Sequence, residues 1–503
     1  KSQKMIETIL LAIPGFVLLW VLITYVEHLI SLRKYPKGPF PLPLVGNVLL
    51  LSEKPYLDFI KLTKTYGDVF SFSFGMKRIV IVNSYEGTKE ALITRGTDFA
   101  GRPTDSIYLK IHSNDFSSVA WSDYTKSNIF IRKLATKSLH LYGTGMANIE
   151  EIIIEGVEKM CSILSKETNK PVTMKTYLGN TIVNTICHLC FSKRYEPDDA
   201  EFQRILRFTN LLAHGLNPAQ PLALFPWLRF FPDTDCFRSL KLGCKIRHEL
   251  TNRFFNEHIK TFNPEKIRDV ADNLLYLSQN KDVWQDAGFE EVTQQQLESI
   301  THDIFTAGIE TNLTTLRWFI IYILKHPEVQ TNIYQEIVSK IGLKRQPVVA
   351  DMEKLDYVQA VLHETNRFAS IAPLNVPHKT IVDTTVRNHQ IPKDTQVLFN
   401  LYSMHHDPTH WNEPEKFKPE RWLNADGSLK KEKATHYIPF SAGTRVCLGK
   451  RMAEMQLFLI VTRLLVNFEV SLAAGESVPD INHVKVGLTL EPASDPDVML
   501  TRR

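Results

Sequence analysis

The sequence contains few cysteines, and their arrangement would build neither a zinc site nor a disulfide framework. Six occur among 503 residues: Cys161, Cys187, Cys190, Cys236, Cys244 and Cys447. Cys187 and Cys190 form a C-x-x-C, but they lie in the apolar stretch 182–191, and no second pair completes a zinc site. We therefore predict core helix positions for this pair and a reducing, cytosol-facing location for the chain.

Linkers, repeats and a strong charge bias are missing as well. After residue 50 no Gly/Ser-rich linker or low-complexity segment divides the chain, and no internal repeat is visible. Because a hydrophobic content of 44% suffices for a packed core, we expect one large domain. The net charge of +4 is too small to indicate nucleic-acid binding. Neither a Rossmann fingerprint nor a flavin motif occurs, which argues against a built-in nicotinamide or flavin site.

The N-terminal region has a different composition. Ile9–Val26 is an uncharged, mostly apolar run of 18 residues, and a helix of this length would extend ~27 Å and could cross a bilayer. No small-x-small cleavage site follows the run, so we predict an uncleaved membrane anchor over residues 1–35 rather than a signal peptide. Three basic residues beyond the run favour a cytosolic catalytic body: Arg33, Lys34 and Lys37.

A proline-rich segment, residues 36–47, follows the apolar run. Its first eight residues contain four prolines. Each proline fixes φ, so we predict an extended strut that holds the body, residues 48–503, at a set angle to the membrane. Such a segment can also serve as an SH3-type ligand, but its place between anchor and body favours a hinge.

Hydrophobic periodicity predicts a mainly α protein with a minor β part. Strand patterns occur at Val69–Phe74 and Ile79–Val82, and again within 373–400 and 483–490. Helical patterns dominate residues 125–370.

Residues 440–449, FSAGTRVCLG, carry the most specific pattern, with one cysteine between two glycines just before a helical stretch. A thiol at a helix N-terminus meets free N–H groups and the positive dipole end, which favour the thiolate. Gly443 and Gly449 lack a Cβ, so the backbone can turn sharply and lie against a flat ligand. Arg445 can donate a charge-assisted hydrogen bond to a carboxylate. The pattern indicates a haem-thiolate site with Cys447 as the iron ligand; the alternative is a buried structural cysteine beside a surface arginine.

The segment resembles the signature of the cytochrome P-450 family at five positions: Phe440, Gly443, Arg445, Cys447 and Gly449. Resemblance to this family extends over roughly residues 36–495. It implies a mainly α fold with minor β structure, a single large domain behind an N-terminal transmembrane helix, and a haem b cofactor (iron protoporphyrin IX) with the Cys447 thiolate as axial ligand.

A helix predicted from about Gln295 to Leu324 carries the second set of chemical groups. Ala307 and Gly308 leave space where a diatomic ligand would fit, and Thr311 can donate a hydrogen bond back to the Ala307 carbonyl. Because oxygen activation consumes protons, an acid and a hydroxyl at this point are suited to the reaction. The A-G-x-E-T pattern is weak alone, but with the family resemblance it predicts Glu310 and Thr311 as catalytic residues.

An acid and a base one helical turn apart, Glu364 and Arg367, are ordinary on exposed helices. Here a P-E-R-W sequence, residues 419–422, follows at the distance typical of the family's E-x-x-R and P-E-R-F pairing. The resemblance implies that Glu364, Arg367 and Arg421 form a buried triad that serves folding rather than catalysis. Trp422 replaces the more usual phenylalanine.

For the haem propionates the resemblance implies Arg132, His378 and Arg445 as donors. Asn128 stands where the family often has tryptophan, and its amide could still donate a hydrogen bond. The alternative for His378 is an exposed loop histidine without a ligand.

The expected substrate pocket is mostly apolar with isolated polar groups, which suits a rigid lipophilic ligand with one or two oxygens. We predict these lining residues: Asn210, His214, Ile304, Ile371, Asn375 and Val486. The aromatic and proline-rich stretch 225–232 is predicted to dip into the membrane. Short phrases resemble the steroid 17α-hydroxylase branch of the family, and others resemble its aryl-hydrocarbon hydroxylases.

We therefore expect a monooxygenase of the endoplasmic reticulum membrane that faces the cytosol and inserts one oxygen atom into a lipophilic, steroid-like substrate. NADPH–cytochrome P-450 reductase would supply the electrons, and a role for cytochrome b5 stays open. A basic surface beside the cysteine would suit such an acidic donor: Lys126, Lys133, Lys137, Lys450 and Arg451. The alternatives are a xenobiotic oxidase, a reductase-independent isomerase or lyase, and a non-catalytic haem- or sterol-binding protein.

Overall fold

The computed structural model describes residues 2–113, 117–141, 146–168, 170–215, 234–280, 292–432 and 434–503. The stretch 225–232 predicted to dip into the membrane lies outside these residues.

Helices dominate the described chain, as predicted. They are α1 (Ser2–Ser31), α2 (Pro55–Tyr66), α3 (Tyr85–Lys89), α4 (Ile107–His112), α5 (Lys126–Leu141), α6 (Met146–Leu164), α7 (Met174–Phe191), α8 (Ala200–Gly215), α9 (Asp235–Thr261), α10 (Val270–Gln279), α11 (Gln294–Lys325), α12 (Pro327–Lys340), α13 (Asp356–Ala369), α14 (Leu401–His405) and α15 (Lys450–Asn467). A π-helical turn, Glu90–Thr94, continues α3, and short 3-10 turns include Pro419–Trp422 and Gly443–Arg445.

The strands form small sheets at the edges of this helical body. Their bounds are β1 (Val69–Phe74), β2 (Lys77–Val82), β3 (Val172–Thr173), β4 (His378–Lys379), β5 (Thr384–Val386), β6 (His389–Ile391), β7 (Gln396–Phe399), β8 (Phe468–Leu472), β9 (Val484–Val486), β10 (Leu490–Pro492) and β11 (Asp497–Arg502). One sheet has the order β1-β2-β7-β4, with β2 and β7 parallel and the other neighbours antiparallel. The others are β3-β11-β8, β5-β6 and β10-β9.

The first sheet is buried on both faces, which explains its nearly continuous apolar sequence. Alternate residues point to opposite sides. Phe70 and Phe72 pack with Phe59 of α2, whereas Val69 contributes to a second cluster beneath the π-helical turn. The sheet therefore joins the N-terminal helices to the segments around residue 440.

Helix α11 runs through the centre of the main core. It begins with a capping box in which Thr293 and Gln296 exchange hydrogen bonds. It ends at His326, just before Pro327 begins α12. Cys187 and Cys190 are buried on the neighbouring helix α7, as the sequence predicts.

Among the described residues, one helix is long and apolar enough to cross a membrane. Gly15–Lys34 has a mean hydropathy of 1.8, and only 6% of its window is buried. Its C-terminal end contacts the body, because Arg78 donates to the His28 carbonyl at 2.9 Å and Tyr25 donates to the Pro41 carbonyl at 2.8 Å.

The proline-rich segment is folded onto the body instead of forming a free, extended strut. Residues 36–41 contain no helix or strand, but Leu42 and Gly46 then pair across a tight turn. The N–H of Asn47 donates to the Ser73 carbonyl at 2.7 Å. A Cβ on Gly38 would lie 1.9 Å from the Ser71 carbonyl oxygen, so close contact with β1 requires glycine there. The prediction of extension throughout the segment was wrong, because local turn formation and contact with β1 override proline stiffness.

Candidate functional site

One glycine forms the sharp turn of the cysteine loop, residues 440–449. Gly443 has a φ of +69°, and a Cβ there would lie 1.6 Å from the Leu92 carbonyl oxygen. After this turn the N–H of Cys447 donates to the Phe440 carbonyl at 3.0 Å. The loop thus places Cys447 immediately before α15, as predicted.

The thiol of Cys447 is accessible, and the protein around it shifts its pKa. Its side chain is exposed, yet burial by surrounding protein raises its pKa. The N–H groups of Gly449 and Lys450 and the guanidinium of Arg132 lower that pKa, but they do not outweigh burial. The N–H groups at the helix terminus thus act in the predicted direction, toward the thiolate. A metal bound to the sulfur would remove the proton outright.

Helix α11 meets α15 close to this cysteine. The Asn312 amide donates to the Gln456 side chain at 2.6 Å, and a Cβ on Gly308 would lie 3.8 Å from Met452. On the same turn, Ala307 is exposed. The predicted hydrogen bond from the Thr311 hydroxyl to the Ala307 carbonyl is present at 2.9 Å.

Basic side chains converge beside the cysteine. Arg445 is buried and donates to the carbonyls of Ala100 at 2.8 Å and Ser122 at 2.9 Å. Burial, together with the neighbouring guanidinium of Arg132, lowers its pKa to about 10. Arg102, also buried, is flanked by both other arginines, and burial and these charges hold its pKa well below the ordinary value.

This cluster is short of negative charge. The Asp123 carboxylate faces it, but Lys379 already donates to that carboxylate at 2.6 Å. His378 is buried, its Nδ1 lies 2.7 Å from the Phe99 carbonyl, and its Nε2 has no hydrogen-bond partner. Several buried guanidinium groups need a negatively charged partner, because burying unpaired charge is costly. The site therefore has places for one or two carboxylates beside a thiol.

The segment before the loop is held by the buried triad that the sequence predicts. Arg367 donates to Glu364 at 2.9 and 2.8 Å, and Arg421 donates to the same carboxylate at 3.0 Å. The indole N–H of Trp422 adds a donor at 2.9 Å that phenylalanine would lack. His405 connects the triad to the loop, because Arg367 donates to its carbonyl at 2.7 Å and its Nε2 accepts from the Ile438 N–H at 3.2 Å.

Comparison with known proteins decides the family. The family model described as Cytochrome P450 matches residues 36–495. The chain is 34% identical over 471 residues to "Steroid 17-alpha-hydroxylase/17,20 lyase" of Squalus acanthias, covering 93% of this chain and 92% of that protein. The protein of that name from Ictalurus punctatus is 35% identical over 470 residues (92% and 90% covered), and that from Gallus gallus is 34% identical over 461 residues (91% and 90%). The chain is a cytochrome P450.

The residues of this P450 fit a haem. The unpartnered His378 Nε2 and the arginine cluster suit two propionates, and nothing lies within 4 Å of the Cβ position of Gly449 beside the thiol. Haem with a cysteine thiolate ligand is the cofactor of the family, and Cys447 is the cysteine that the sequence predicts as this ligand.

One propionate prediction changes in the structure. Asn128 directs its amide N–H groups to the Val119 carbonyl at 3.2 Å and the Ser122 hydroxyl at 2.6 Å, and its buried Oδ1 is an unpaired acceptor. It therefore shapes the turn to which Arg445 binds and offers no donor to a propionate. Arg102, which lies buried beside Arg445 and Arg132, was not predicted as a site residue, although the basic side chain in G-R-P could have drawn attention to it.

On the oxygen side of the site, Gly308 and Glu310 have contacts that the sequence did not predict. A Cβ on Gly308 would lie 2.7 Å from the Ile186 side chain, so this glycine serves close packing with α7. Glu310 accepts from Thr314 at 3.0 Å and Thr489 at 3.1 Å. Burial raises its pKa, and the charge of Glu491 raises it further. Its carboxyl is thus held toward the β9–β10 turn and makes no hydrogen bond to Thr311.

The predicted pocket residues are brought together only in part. Ile304, Ile371 and Val486 are half-buried, and the Ile371 carbonyl accepts from the Leu490 N–H at 2.8 Å, which joins that loop to the β9–β10 hairpin. Asn375 uses its amide on the cysteine loop, donating to Ser441 at 2.9 Å. Asn375 therefore holds the cysteine loop, and its amide is not free to bind a substrate.

Helix α8 carries the two remaining predicted pocket residues, which are both exposed. Asn210 has a side chain on the face away from the buried Phe208. His214 lies 3.4 Å from the thiol of Cys236 on α9. The Ala213 carbonyl comes near Gly487, so α8 does approach the β9–β10 turn.

Proposed function

We propose that this P450 hydroxylates a steroid, with 17α-hydroxylation as the reaction of first choice. The observation that carries the proposal is the similarity to vertebrate proteins named steroid 17-alpha-hydroxylase/17,20 lyase, at 31–35% identity over about nine-tenths of the chain. The half-buried apolar residues Ile304, Ile371 and Val486 support a lipophilic substrate. A xenobiotic-oxidising enzyme is the second candidate, on the aryl-hydrocarbon hydroxylase phrases in the sequence.

In this proposal the chain's residues hold the cofactor and deliver protons. Haem, when bound, supplies oxygen activation and oxygen transfer to a C–H bond. Cys447 is its ligand, and Arg102, Arg132, Arg445 and His378 hold its propionates. The anionic carboxylates would favour the protonated form of His378, whose pKa burial otherwise lowers.

Proton delivery is assigned to Thr311 and Glu310. The Thr311 hydroxyl donates to the Ala307 carbonyl. It can exchange that bond for one to a ligand beside Ala307 without leaving the helix. Glu310 is half-buried and its pKa is raised, chiefly by burial, so it keeps a proton to a higher pH than an exposed glutamate and can return it by way of water.

The proposal also includes the electron donor and the location of the enzyme. The surface beside the cysteine exposes Lys126, Lys133, Lys450 and Arg451, which suits the acidic face of NADPH–cytochrome P-450 reductase or cytochrome b5. The apolar helix Gly15–Lys34 would anchor the enzyme in the endoplasmic reticulum membrane, with basic residues after it on the cytosolic side.

The test is turnover of purified holoenzyme with reductase and NADPH in phospholipid vesicles, on steroids, fatty acids and aryl hydrocarbons. A steroid with a 17α-hydrogen should yield a 17α-hydroxyl product, and its 17α-methyl analogue should yield none at that carbon. Oxidation of aryl hydrocarbons with no steroid product would replace the first candidate by the second. Turnover without reductase would identify an isomerase or lyase.

A further inference from the structure

Outside the haem site, three side chains of metal-ligating type lie close together: Glu86, His410 and His436. One ligand atom of each lies within 4.8 Å of the others. They come from separate segments, namely the first turn of α3, the turn after α14, and the stretch that leads into the cysteine loop. None of the three is assigned to haem binding or to proton delivery.

His436 has an unsatisfied nitrogen directed into this group. The residue is 8% exposed, and its Nε2 has no hydrogen-bond partner. The nearest carboxylate oxygen, Oε1 of Glu86, is 3.6 Å away, beyond an ordinary hydrogen bond. Its Nδ1 lies 3.0 Å from the Thr435 hydroxyl oxygen. When Nδ1 donates to that hydroxyl, the Nε2 lone pair faces the Glu86 carboxylate, and two acceptors that face each other form a place for a cation.

His410 adds a second imidazole. Its ring stacks on that of His436 with centroids 3.4 Å apart, and Asp407 lies 3.9 Å from its Nε2. Two imidazolium ions would repel each other at this distance. Burial lowers the pKa of His436, and the neighbouring His410 lowers it further. Because His410 is exposed, its ring can turn out of the stack and direct a nitrogen toward the same point.

We infer that Glu86, His410 and His436 form a binding site for a divalent transition-metal cation, with Zn²⁺ as the best match. Two imidazole nitrogens and a carboxylate oxygen are a common zinc donor set. On a tetrahedral zinc with ligands at ~2.0–2.1 Å, ligand atoms are about 3.4 Å apart, close to the 3.6 Å between His436 and Glu86. The contact from His436 to Thr435 matches the outer hydrogen bond typical of zinc-bound histidines.

In a second cluster of histidine and carboxylate side chains, the polar groups are already satisfied by the protein. His258, Asp269 and Asp272 are also close together and buried. There, however, His258 lies 2.7 Å from Asp269, and Arg268 donates to Asp272 at 2.6 Å. Since protein donors already fill that cluster, we assign no metal to it.

The proposed ion would link two segments that support the cysteine loop. Glu86 belongs to α3, which continues into the π-helical turn whose Leu92 carbonyl touches Gly443. His436 precedes the same loop on the other side. A cation that ties these segments together stabilises the folded state in proportion to its binding.

The experiment measures Zn²⁺ binding to the haem-loaded enzyme by competition with a chromophoric chelator, and the midpoint of thermal unfolding with and without Zn²⁺. The test variants are His410→Ala and Glu86→Gln, because both side chains are exposed and neither packs in the core. His483→Ala is the matched control, an exposed histidine on the loop before β9. We expect one strong site in the parent enzyme and in the control. Each test variant should lose at least ~10-fold in affinity and should lose the zinc-dependent rise of the midpoint.

Equal zinc affinity in the parent and His410→Ala would overturn the inference, as would equal losses in His410→Ala and His483→Ala. Absence of stoichiometric binding to the parent at micromolar Zn²⁺ would also overturn it. Neither readout depends on substrate turnover, so failure here is distinct from failure of the proposed steroid hydroxylation.

Discussion

The two sides of the haem site are built in different ways. On the thiolate side, residues from distant segments hold one loop rigidly. They do so through a buried ion triad, the positive-φ turn at Gly443 and hydrogen bonds such as that from Asn375 to Ser441. On the oxygen side, a single helix carries the groups, and its hydroxyl makes only a local bond to the preceding turn. The loop that places the ligand cysteine is thus held rigidly. On the oxygen side, Thr311 can exchange its hydrogen bond to Ala307 for another one.

Removing the thiolate ligand should have the largest effect. Cys447→Ser should abolish the thiolate-type Soret band of the ferrous carbonyl form and all reductase-dependent product, because a serine hydroxyl is a poor substitute for a thiolate. Cys236→Ser, which changes a half-exposed thiol far along the chain, should keep both. A retained thiolate-type band in Cys447→Ser would move the iron ligand elsewhere.

Breaking the triad should have the second-largest effect. Arg367 and Glu364 are fully buried, so Arg367→Ala would leave a buried charge poorly paired at a cost of about 3–5 kcal/mol. Little haem-loaded protein should accumulate, as measured by haem absorbance per milligram. Lys159→Ala, which breaks an exposed pair with Glu196, should cost no more than about 1 kcal/mol. Equal yields for the two variants would show that the thiolate side does not depend on the triad.

The oxygen side should respond in function and not in folding. Thr311→Ala should bind haem and substrate nearly normally but give several-fold less product per NADPH consumed, with more peroxide. Water can replace part of the relay, so the loss should be smaller than the ~10²–10⁴-fold typical of a full acid-base contribution.

The control for this variant is Thr301→Ala. Thr301 makes the same type of bond to the preceding turn, to the Leu297 carbonyl at 3.0 Å, but it is buried in the core. Its ratio of product to NADPH should match the parent enzyme. An unchanged ratio in Thr311→Ala would make Glu310 the preferred proton route.

The smallest effect should come from a single hydrogen bond of the triad. Trp422→Phe removes the indole donor to Glu364, and hydrogen bonds to charged groups contribute about 1.5–3 kcal/mol. We expect a lower midpoint of haem loss on heating. Trp411→Phe is the matched control, since its indole donates to the neutral carbonyl of Met404 at 2.8 Å. Its loss should be smaller, and the reverse order would show that the carboxylate gains little from Trp422.

Features encoded in contiguous residues could be predicted from the sequence. The strand Val69–Phe74 and the long helix around residue 310 follow from periodicity, and their bounds are correct or differ by one residue at each end. The cysteine loop and the bond from Thr311 to Ala307 are also local. Each of these depends on backbone geometry or side-chain spacing within a few residues.

The sequence alone therefore determined the family, the chemical identity of the ligand cysteine and the apolar helix near the N-terminus. The tertiary structure decided what the other polar groups do. Asn128 became a turn support, Glu310 turned toward Thr489, and Arg102 joined the cationic cluster. The pKa of Cys447 also depends on burial by distant segments, which outweighs the local helix terminus. The physical reason is that a buried polar group must be satisfied by whatever partner the fold brings near, and that partner is usually remote in the chain.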